Sequence, residues 1–127
     1  MAGCRADVNI KGEDGWSPLH FAAQNGCVEL ARLFVTEFVA CVNIRNDKGE
    51  TPLHIATENR HVEIVKLFVS RFETDANVQD FNGWSPLHIA ARNGYVETAR
   101  LLVTEFGADV NIQSNIGWSP LHIAAQN

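Results

Sequence analysis

Apolar residues recur along the chain at helical spacing, in short runs that are separated by turn residues. In residues 28–35 (VELARLFV), apolar side chains share one side of a helix and the charged ones fall on the other, which predicts an amphipathic helix. A shorter helix precedes it, since Ser17 is a good N-cap and Pro18 fits the first helical position. Gly26 ends this shorter helix, because glycine readily takes the left-handed conformation. The pattern therefore predicts two helices joined by a tight turn.

The same pattern returns over the whole chain with a period of 34 residues. The prolines that start the shorter helices are Pro18, Pro52, Pro86 and Pro120, and the histidines two positions later are His20, His54, His88 and His122. A V-N-I string or a close variant recurs in the same phase at residues 8–10, 42–44, 76–78 and 110–112. Two motifs that stay in phase indicate stacked repeats, each of which buries its apolar face against its neighbours.

The chain is therefore predicted to be one all-α solenoid domain (1–127) of helix-turn-helix-hairpin repeats. We divide it into the tail of a preceding partial repeat (1–11), repeat one (12–45), repeat two (46–79), repeat three (80–113) and a truncated fourth repeat (114–127). First helices are expected near 18–25, 52–59, 86–93 and 120–126, and second helices near 28–37, 62–71 and 96–105. We expect no multi-stranded sheet, because the extended V-N-I segments lead only into tight glycine turns.

Composition narrows the class of partner. The net charge is −5, with 10 basic and 15 acidic residues, which argues against a nucleic-acid partner. No apolar run approaches the length of a membrane span, and the N-terminus lacks the apolar core of a signal peptide. The cysteines Cys4, Cys27 and Cys41 are odd in number and irregularly spaced, so we expect no disulfide among them. This predicts a reducing, intracellular and cytoplasmic location.

The repeat resembles the ankyrin-repeat family, whose pattern is G-x-T-P-L-H-x-A-A followed by glycine, paired leucines and G-A-D-V-N. The resemblance covers the whole chain and is strongest in repeat three, at residues 83–91, 93–94 and 107–111. It implies a module that binds other proteins, with no catalytic residues, no cofactor and no metal. The usual period of the family is 33 residues, and we place the extra residue of this chain at the end of the second helix.

Four positions depart from the glycines of the family pattern, and one of them is Arg5 at the start of the chain. Arg60 stands where Gly26 and Gly94 end the first helices of repeats one and three. Val39 and Glu73 stand where Gly107 follows the second helix of repeat three, which leaves the helix ending open there. A left-handed conformation at a residue other than glycine costs about 1 kcal/mol or more. We therefore predict that the turn at Arg60 is strained.

The recurring histidines invite a metal or catalytic interpretation, which their spacing disfavours. They lie one repeat apart, about 8–10 Å by helix packing, whereas metal ligands converge within about 2–2.3 Å of one ion. The pair Ser17 and His20 recurs in other repeats without an acid or an oxyanion loop in phase. We expect each imidazole to bond the Ser/Thr hydroxyl and a backbone group of the adjoining loop. We therefore predict that the chain is not an enzyme.

The resemblance implies a concave groove formed by hairpin tips and the ends of first helices. Carried over position by position, the partner-binding residues are Glu13, Asp14, Trp16, Gln24, Asn25, Asp47, Lys48, Glu50, Glu58, Asn59, Phe81, Asn82, Trp84, Arg92 and Asn93. Tryptophan is enriched at binding hot spots. A second interpretation stays open for Trp16, Trp84 and Trp118, namely that each indole is a spacer that covers the neighbouring hairpin stem.

Two other functions remain open beside a protein-binding module. The chain could be a regulatory or targeting part of a larger protein, since neither end shows the polar residues of a capping repeat. The uncapped ends could also stack head to tail and make the chain a self-associating structural element. The identity of a partner protein cannot be read from the fold alone.

Overall fold

A computed structural model of the chain describes residues 8–126, and these residues contain seven α-helices. They are α1 (Pro18–Asn25), α2 (Val28–Thr36), α3 (Pro52–Glu58), α4 (Val62–Lys66), α5 (Pro86–Asn93), α6 (Val96–Thr104) and α7 (Pro120–Gln126). Helix α4 continues into a π-helical turn at Leu67–Arg71, and a short 3-10 turn occupies Glu13–Gly15. No strand occurs within residues 8–126. The predicted all-α solenoid is confirmed, and the helices fall within a residue of their predicted bounds once the π-helical turn is counted with α4.

The helices form two layers. The first helices α1, α3, α5 and α7 stack on one another in that order, and each of α1, α3 and α5 also packs on its own second helix. Ala22, Ala56 and Ala90 hold the same position in successive first helices and are buried, so their small side chains allow a close approach. Phe68 and Leu102 fill the space between the layers and are also fully buried. None of the described helices is long and apolar enough to cross a membrane.

Each first helix begins with a reciprocal cap made by its own histidine. In α1 the Ser17 hydroxyl accepts the backbone N–H of His20, and the imidazole Nδ1 accepts the backbone N–H of Ser17 at 3.1 Å. The histidine thus takes the place that glutamate holds in the usual capping box. The same arrangement occurs at the start of α3 and of α5.

The other imidazole nitrogen ties each repeat to the next one. The Nε2 of His20 lies 2.8 Å from the Glu50 carbonyl, and that of His54 lies 2.8 Å from the Trp84 carbonyl. His88 contacts the Trp118 carbonyl in the same way at 2.7 Å. The predicted structural role of these histidines is confirmed, since each one joins the hydroxyl residue of its own helix to the following hairpin.

The second helices end in a wide turn that carries the left-handed residue. The backbone N–H of Ala40 donates to the Phe34 carbonyl at 2.8 Å, and the N–H of Ala108 donates to the Leu102 carbonyl at the same distance. Each of these bonds spans six residues instead of the usual four, at the place where the extra residue of the repeat was predicted. Val39 and Glu73 adopt φ values of 57° and 56°. The left-handed turn that ends the second helix is therefore retained in repeats one and two without glycine.

The turn after α3 is strained as predicted, because Arg60 has a φ of 61°. Replacing Arg60 with glycine should raise the free energy of unfolding by about 1 kcal/mol, since glycine adopts this conformation without a clash of its Cβ. The Arg60 guanidinium also lies 5.3 Å from the centroid of the Tyr95 ring, and the substitution removes that contact. Arg60→Ala is the matched control, because it removes the same contact and keeps the Cβ. Urea denaturation measures the stability of both variants. If Arg60→Gly is no more stable than Arg60→Ala, the conformation of this turn does not destabilise the chain.

The expectation of no disulfide is wrong for Cys41, which is disulfide-bonded. Cys27 is an exposed free thiol, and Cys4 lies outside the described residues. The Asn9 side chain accepts the backbone N–H of Cys41 at 2.9 Å, which is the same contact between neighbouring repeats that the Asn77 side chain makes with the N–H of Asp109. The bond leaves the stack of helices intact, but it removes the basis on which a reducing compartment was predicted.

Candidate partner-binding face

The hairpin tips are held in shape by a side chain at the base of each turn. The Asn46 side-chain oxygen accepts the backbone N–H groups of Lys48 and Glu50, each at 2.9 Å. In the next repeat, the Asp80 carboxylate accepts the corresponding N–H groups of Asn82 and Trp84 at the same distance. Because these hydrogen bonds satisfy the turn internally, the tip side chains project from a defined backbone.

Neighbouring tips are joined into a row by backbone hydrogen bonds. The N–H of Asp47 donates to the Asp14 carbonyl at 3.0 Å, and the N–H of Phe81 donates to the Lys48 carbonyl at 3.1 Å. Gly49 has a φ of 77°, and a Cβ there would lie 2.5 Å from the Phe81 ring. Glycine is therefore required in this turn both for its conformation and for the close approach of the next tip.

The Arg45 side chain bonds two neighbouring hairpins, a role that sequence reasoning did not predict. Its guanidinium donates to the Gly49 carbonyl at 2.6 Å and to the Gln79 carbonyl of the next repeat at 2.8 Å. Gln79 makes the equivalent pair of bonds to the Gly83 and Gln113 carbonyls. The signal was present in the sequence, since these long polar side chains recur 34 residues apart.

The tryptophans are half-buried and have one covered and one open side. The Trp84 ring lies 5.4 Å from the His88 ring of its own helix, and Trp16 lies 5.5 Å from His20. The Arg92 guanidinium lies 4.9 Å from the Trp84 centroid, which is within the range of a cation–π interaction. The geometry is therefore compatible with both interpretations, because each indole packs on the stack and also reaches the surface.

The ends of the first helices form a second row beside the tips. Glu58 of α3 makes an ion pair with Arg92 of α5 and accepts a hydrogen bond from the Asn93 amide at 3.0 Å. The Tyr95 hydroxyl donates to the Glu58 carbonyl at 3.0 Å. His61 contacts the Gln24 carbonyl in the same manner, at 2.8 Å. Sequence reasoning did not assign this role to His61 and Tyr95, since it depends on the register of neighbouring repeats.

None of the predicted partner-binding residues is buried. The exposed ones are Glu13, Asp14, Gln24, Asn25, Asp47, Lys48, Asn59, Phe81, Asn82 and Arg92, and the half-buried ones are Trp16, Glu50, Glu58, Trp84 and Asn93. We call the surface formed by the tips and the first-helix ends the hairpin face. The side-chain amide of Asn59 donates to the Ile55 carbonyl of its own helix at 2.8 Å, so it also closes α3.

The fourth repeat extends the hairpin face beyond the predicted set. The N–H of Asn115 donates to the Asn82 carbonyl at 3.0 Å, and its side-chain amide donates to the Phe81 carbonyl at 2.7 Å. Ile116 and Trp118 follow at the positions that Asn82 and Trp84 hold one repeat earlier. The period of 34 residues could have identified all three from the sequence.

Burial disfavours the charged form of the imidazoles that join neighbouring repeats. Burial lowers the pKa of His20, His54 and His88 below the ordinary value of 6.5, while the bond to a backbone carbonyl opposes the shift. Within residues 8–126, no group of three or more potential ligands could hold a metal ion. The Ser–His pairs serve as helix caps, as their recurrence in the sequence indicates.

A family comparison agrees with this architecture. The model for ankyrin repeats matches the chain in three copies, over residues 1–80 and 70–127. A search of curated proteins gives no significant match. Ankyrin repeats are generally modules for protein–protein interaction and are typically not enzymes. Since the matched ranges together span the sequence, the chain belongs to the ankyrin-repeat family.

Proposed function

We propose that the chain binds a partner protein on the hairpin face, which corresponds to the concave groove of the family. The observation that carries the proposal is the row of tips whose backbones are joined from repeat to repeat, as at Asp47 and Phe81. A rigid surface loses little conformational entropy on binding, so its contacts contribute more fully to affinity. Trp84 and Arg92 supply residue types that dominate binding energies.

The second helices are the natural comparison surface for this proposal. Their exposed faces carry ion pairs within one helix, such as Glu29 with Arg32 and Glu97 with Arg100. Exposed pairs of this kind contribute only a few tenths of a kcal/mol. These charged pairs keep the surface solvated, although Leu30 and Val96 are also exposed on it.

Hydrogen–deuterium exchange on the complex with a partner recovered by affinity capture tests the proposal. We expect slower exchange in residues 46–50 and 80–84 and at the first-helix ends near 58–60 and 92–94. Exchange across α2, α4 and α6 should not change, and these helices serve as the internal control. Protection centred on the second helices would show that the partner uses the opposite surface.

Self-association is a second candidate function, which exposed apolar flanks favour. On the flank of α7, Leu121 is 62% exposed, whereas its counterpart Leu87 in α5 is 4% exposed. On the flank of α1, Phe21 is 49% exposed, whereas its counterpart Ile55 is 5% exposed. Two apolar flanks at opposite ends of a stack make a head-to-tail contact that can propagate.

The flank of α7 contains a cavity of about 430 Å³. Its lining is almost wholly apolar and includes Val96, Val103, Leu121 and Ala124. In the described residues α7 has no second helix, whereas α4 and α6 cover the equivalent surfaces of α3 and α5. The cavity is therefore an apolar surface on this side of the described stack.

We expect the fourth repeat of the 127-residue chain to exchange amide hydrogens rapidly when dilute. Each apolar side chain that stays half exposed forgoes about 1 kcal/mol of burial, so residues 118–126 should exchange faster than residues 84–93. The exchange should slow as the protein concentration rises, and a polar-faced helix added after residue 127 should abolish this dependence. Equal exchange rates in the two segments at micromolar concentration would contradict self-association through this end.

A further inference from the structure

The row of hairpin tips changes character along the stack. The tips of repeats one and two carry Glu13, Asp14, Asp47 and Lys48, and the tips of repeats three and four carry Phe81, Asn82, Asn115 and Ile116. The four tip residues of repeats one and two have a net charge of −2, from three acidic residues and one basic residue, whereas the four tip residues of repeats three and four carry no charge. The row of tips is therefore acidic at one end, whereas the tip residues at the other end are uncharged and partly apolar.

The acidic end contains a cavity of about 280 Å³ between the first two hairpins. Asp14, Asp47 and Glu50 line it together with the half-buried Trp16, and Lys48 is its one basic lining residue. The structure gives Asp14 and Asp47 no ion pair within residues 8–126. A basic side chain that enters this cavity meets carboxylates on two hairpins and the face of an indole, which together suit a guanidinium or an ammonium group.

The apolar end exposes two large side chains on fixed backbones. Phe81 is 61% exposed and Ile116 is 79% exposed. The carboxylate of Asp80 accepts two backbone N–H groups in the same hairpin, so this nearby charge is held within its own turn. An apolar side chain of a partner can be buried here without leaving a tip charge unpaired.

We propose that the hairpin face holds an extended segment of the partner whose basic side chain enters the cavity between the first two hairpins. An apolar side chain of the same segment packs against Phe81 and Ile116. The two anchor points are two repeats apart, about 16–20 Å at the spacing of packed helices. An extended chain covers this distance in about five or six residues. The inference rests on the proposed function and adds the chemistry and spacing of the recognised segment.

A library of random 12-residue peptides displayed on phage and selected on the immobilised chain tests this inference. We expect the selected peptides to share a lysine or arginine that lies about five or six residues from a large apolar residue. Their binding should weaken at high salt, because the acidic end is exposed to solvent. The strongest peptide is then synthesised for affinity measurements against chain variants.

The double variant Asp14→Asn with Asp47→Lys tests the acidic end. Asparagine tolerates the φ of 61° at position 14, so the turn keeps its conformation. We expect the selected peptide to bind this variant at least tenfold more weakly. The control Glu37→Gln with Glu105→Lys changes the net charge equally at exposed ends of second helices and should leave the affinity unchanged.

Three other outcomes would overturn the inference. If the selected peptides lack a basic residue but bind the Phe81→Ala variant more weakly, the role proposed for the acidic end is wrong. The proposed function would still stand. Peptides that are unaffected by any change on the hairpin face would count against both. If the library yields no binders, extended segments are not what this face recognises, and the exchange experiment on the partner complex still decides the proposed function.

Discussion

Lowering the pH from 7 to 5 should destabilise the folded chain steeply, through the three histidines that join neighbouring repeats. In each, the imidazole Nδ1 accepts a backbone N–H, as in the 3.1 Å bond from Thr51 to His54. Its Nε2 then carries the proton and donates to a carbonyl of the next repeat. A second proton on Nδ1 would point at the Thr51 N–H, and the buried ring would carry a charge. The folded state therefore favours the neutral imidazole.

The sign of the effect follows from the lowered pKa values of His20, His54 and His88. Below the ordinary pKa of 6.5, the unfolded chain takes up protons that the folded chain excludes, so protonation favours unfolding. The stabilisation is complete above this pH and is lost as the pH falls towards the folded values. Each histidine contributes at most about 1.4 kcal/mol per pH unit, and three contribute at most about 4 kcal/mol per pH unit.

Urea denaturation at a series of pH values measures this slope, and NMR titration of the histidine ring signals assigns it. We expect the rings of His20, His54 and His88 to take up protons at a lower pH in the folded protein than in the unfolded chain, because burial lowers their pKa. A free energy of unfolding that is constant between pH 7 and 5 would show that these imidazoles titrate equally in both states.

The sequence predicts the helices well because residues within each repeat mark where its first helix begins and ends. Ser17 and Pro18 start a helix by local chemistry, and Gly26 ends it with a φ of 71°, so no distant contact is needed to place α1. The structural role of the histidines was also predictable. Their recurrence in every repeat indicated a structural function, and their short distance from the N-cap residue indicated which side chain they bond. These features depend on residues that lie within a few positions of each other.

Other features could not be predicted because they depend on neighbouring repeats. Val39 keeps the left-handed turn without glycine, and the N–H of Ala40 still donates to the Phe34 carbonyl. The hydrogen bond from Tyr95 to the Glu58 carbonyl needs the register between two repeats. The disulfide of Cys41 needs the path of a loop that no local pattern describes.

Replacing Trp84 with alanine should weaken binding of a partner by about 2 kcal/mol or more, which is about 30-fold in the dissociation constant. The indole lies in the middle of the hairpin face, under the Arg92 guanidinium at 4.9 Å. Its loss removes the apolar contact and also frees Arg92 from its place over the ring. The Trp84 carbonyl, which His54 bonds, belongs to the backbone and remains in alanine.

The fold should therefore survive the substitution, which separates binding from a spacer role. Far-UV circular dichroism and thermal unfolding check that Trp84→Ala stays folded, and Trp84→Phe should restore part of the affinity because it keeps an aromatic ring. Arg100→Ala is the control on the opposite surface, where Arg100 is exposed and, within residues 8–126, forms an ion pair with Glu97 of its own helix.

The dissociation constant of the captured partner, measured by calorimetry with these variants, tests the central claim most directly. The account predicts an affinity about 30-fold lower for Trp84→Ala and an unchanged affinity for Arg100→Ala, with both variants folded. An unchanged affinity for a folded Trp84→Ala variant, or an unfolded variant, would contradict it. The first result would place binding elsewhere on the chain, and the second would make Trp84 a structural spacer.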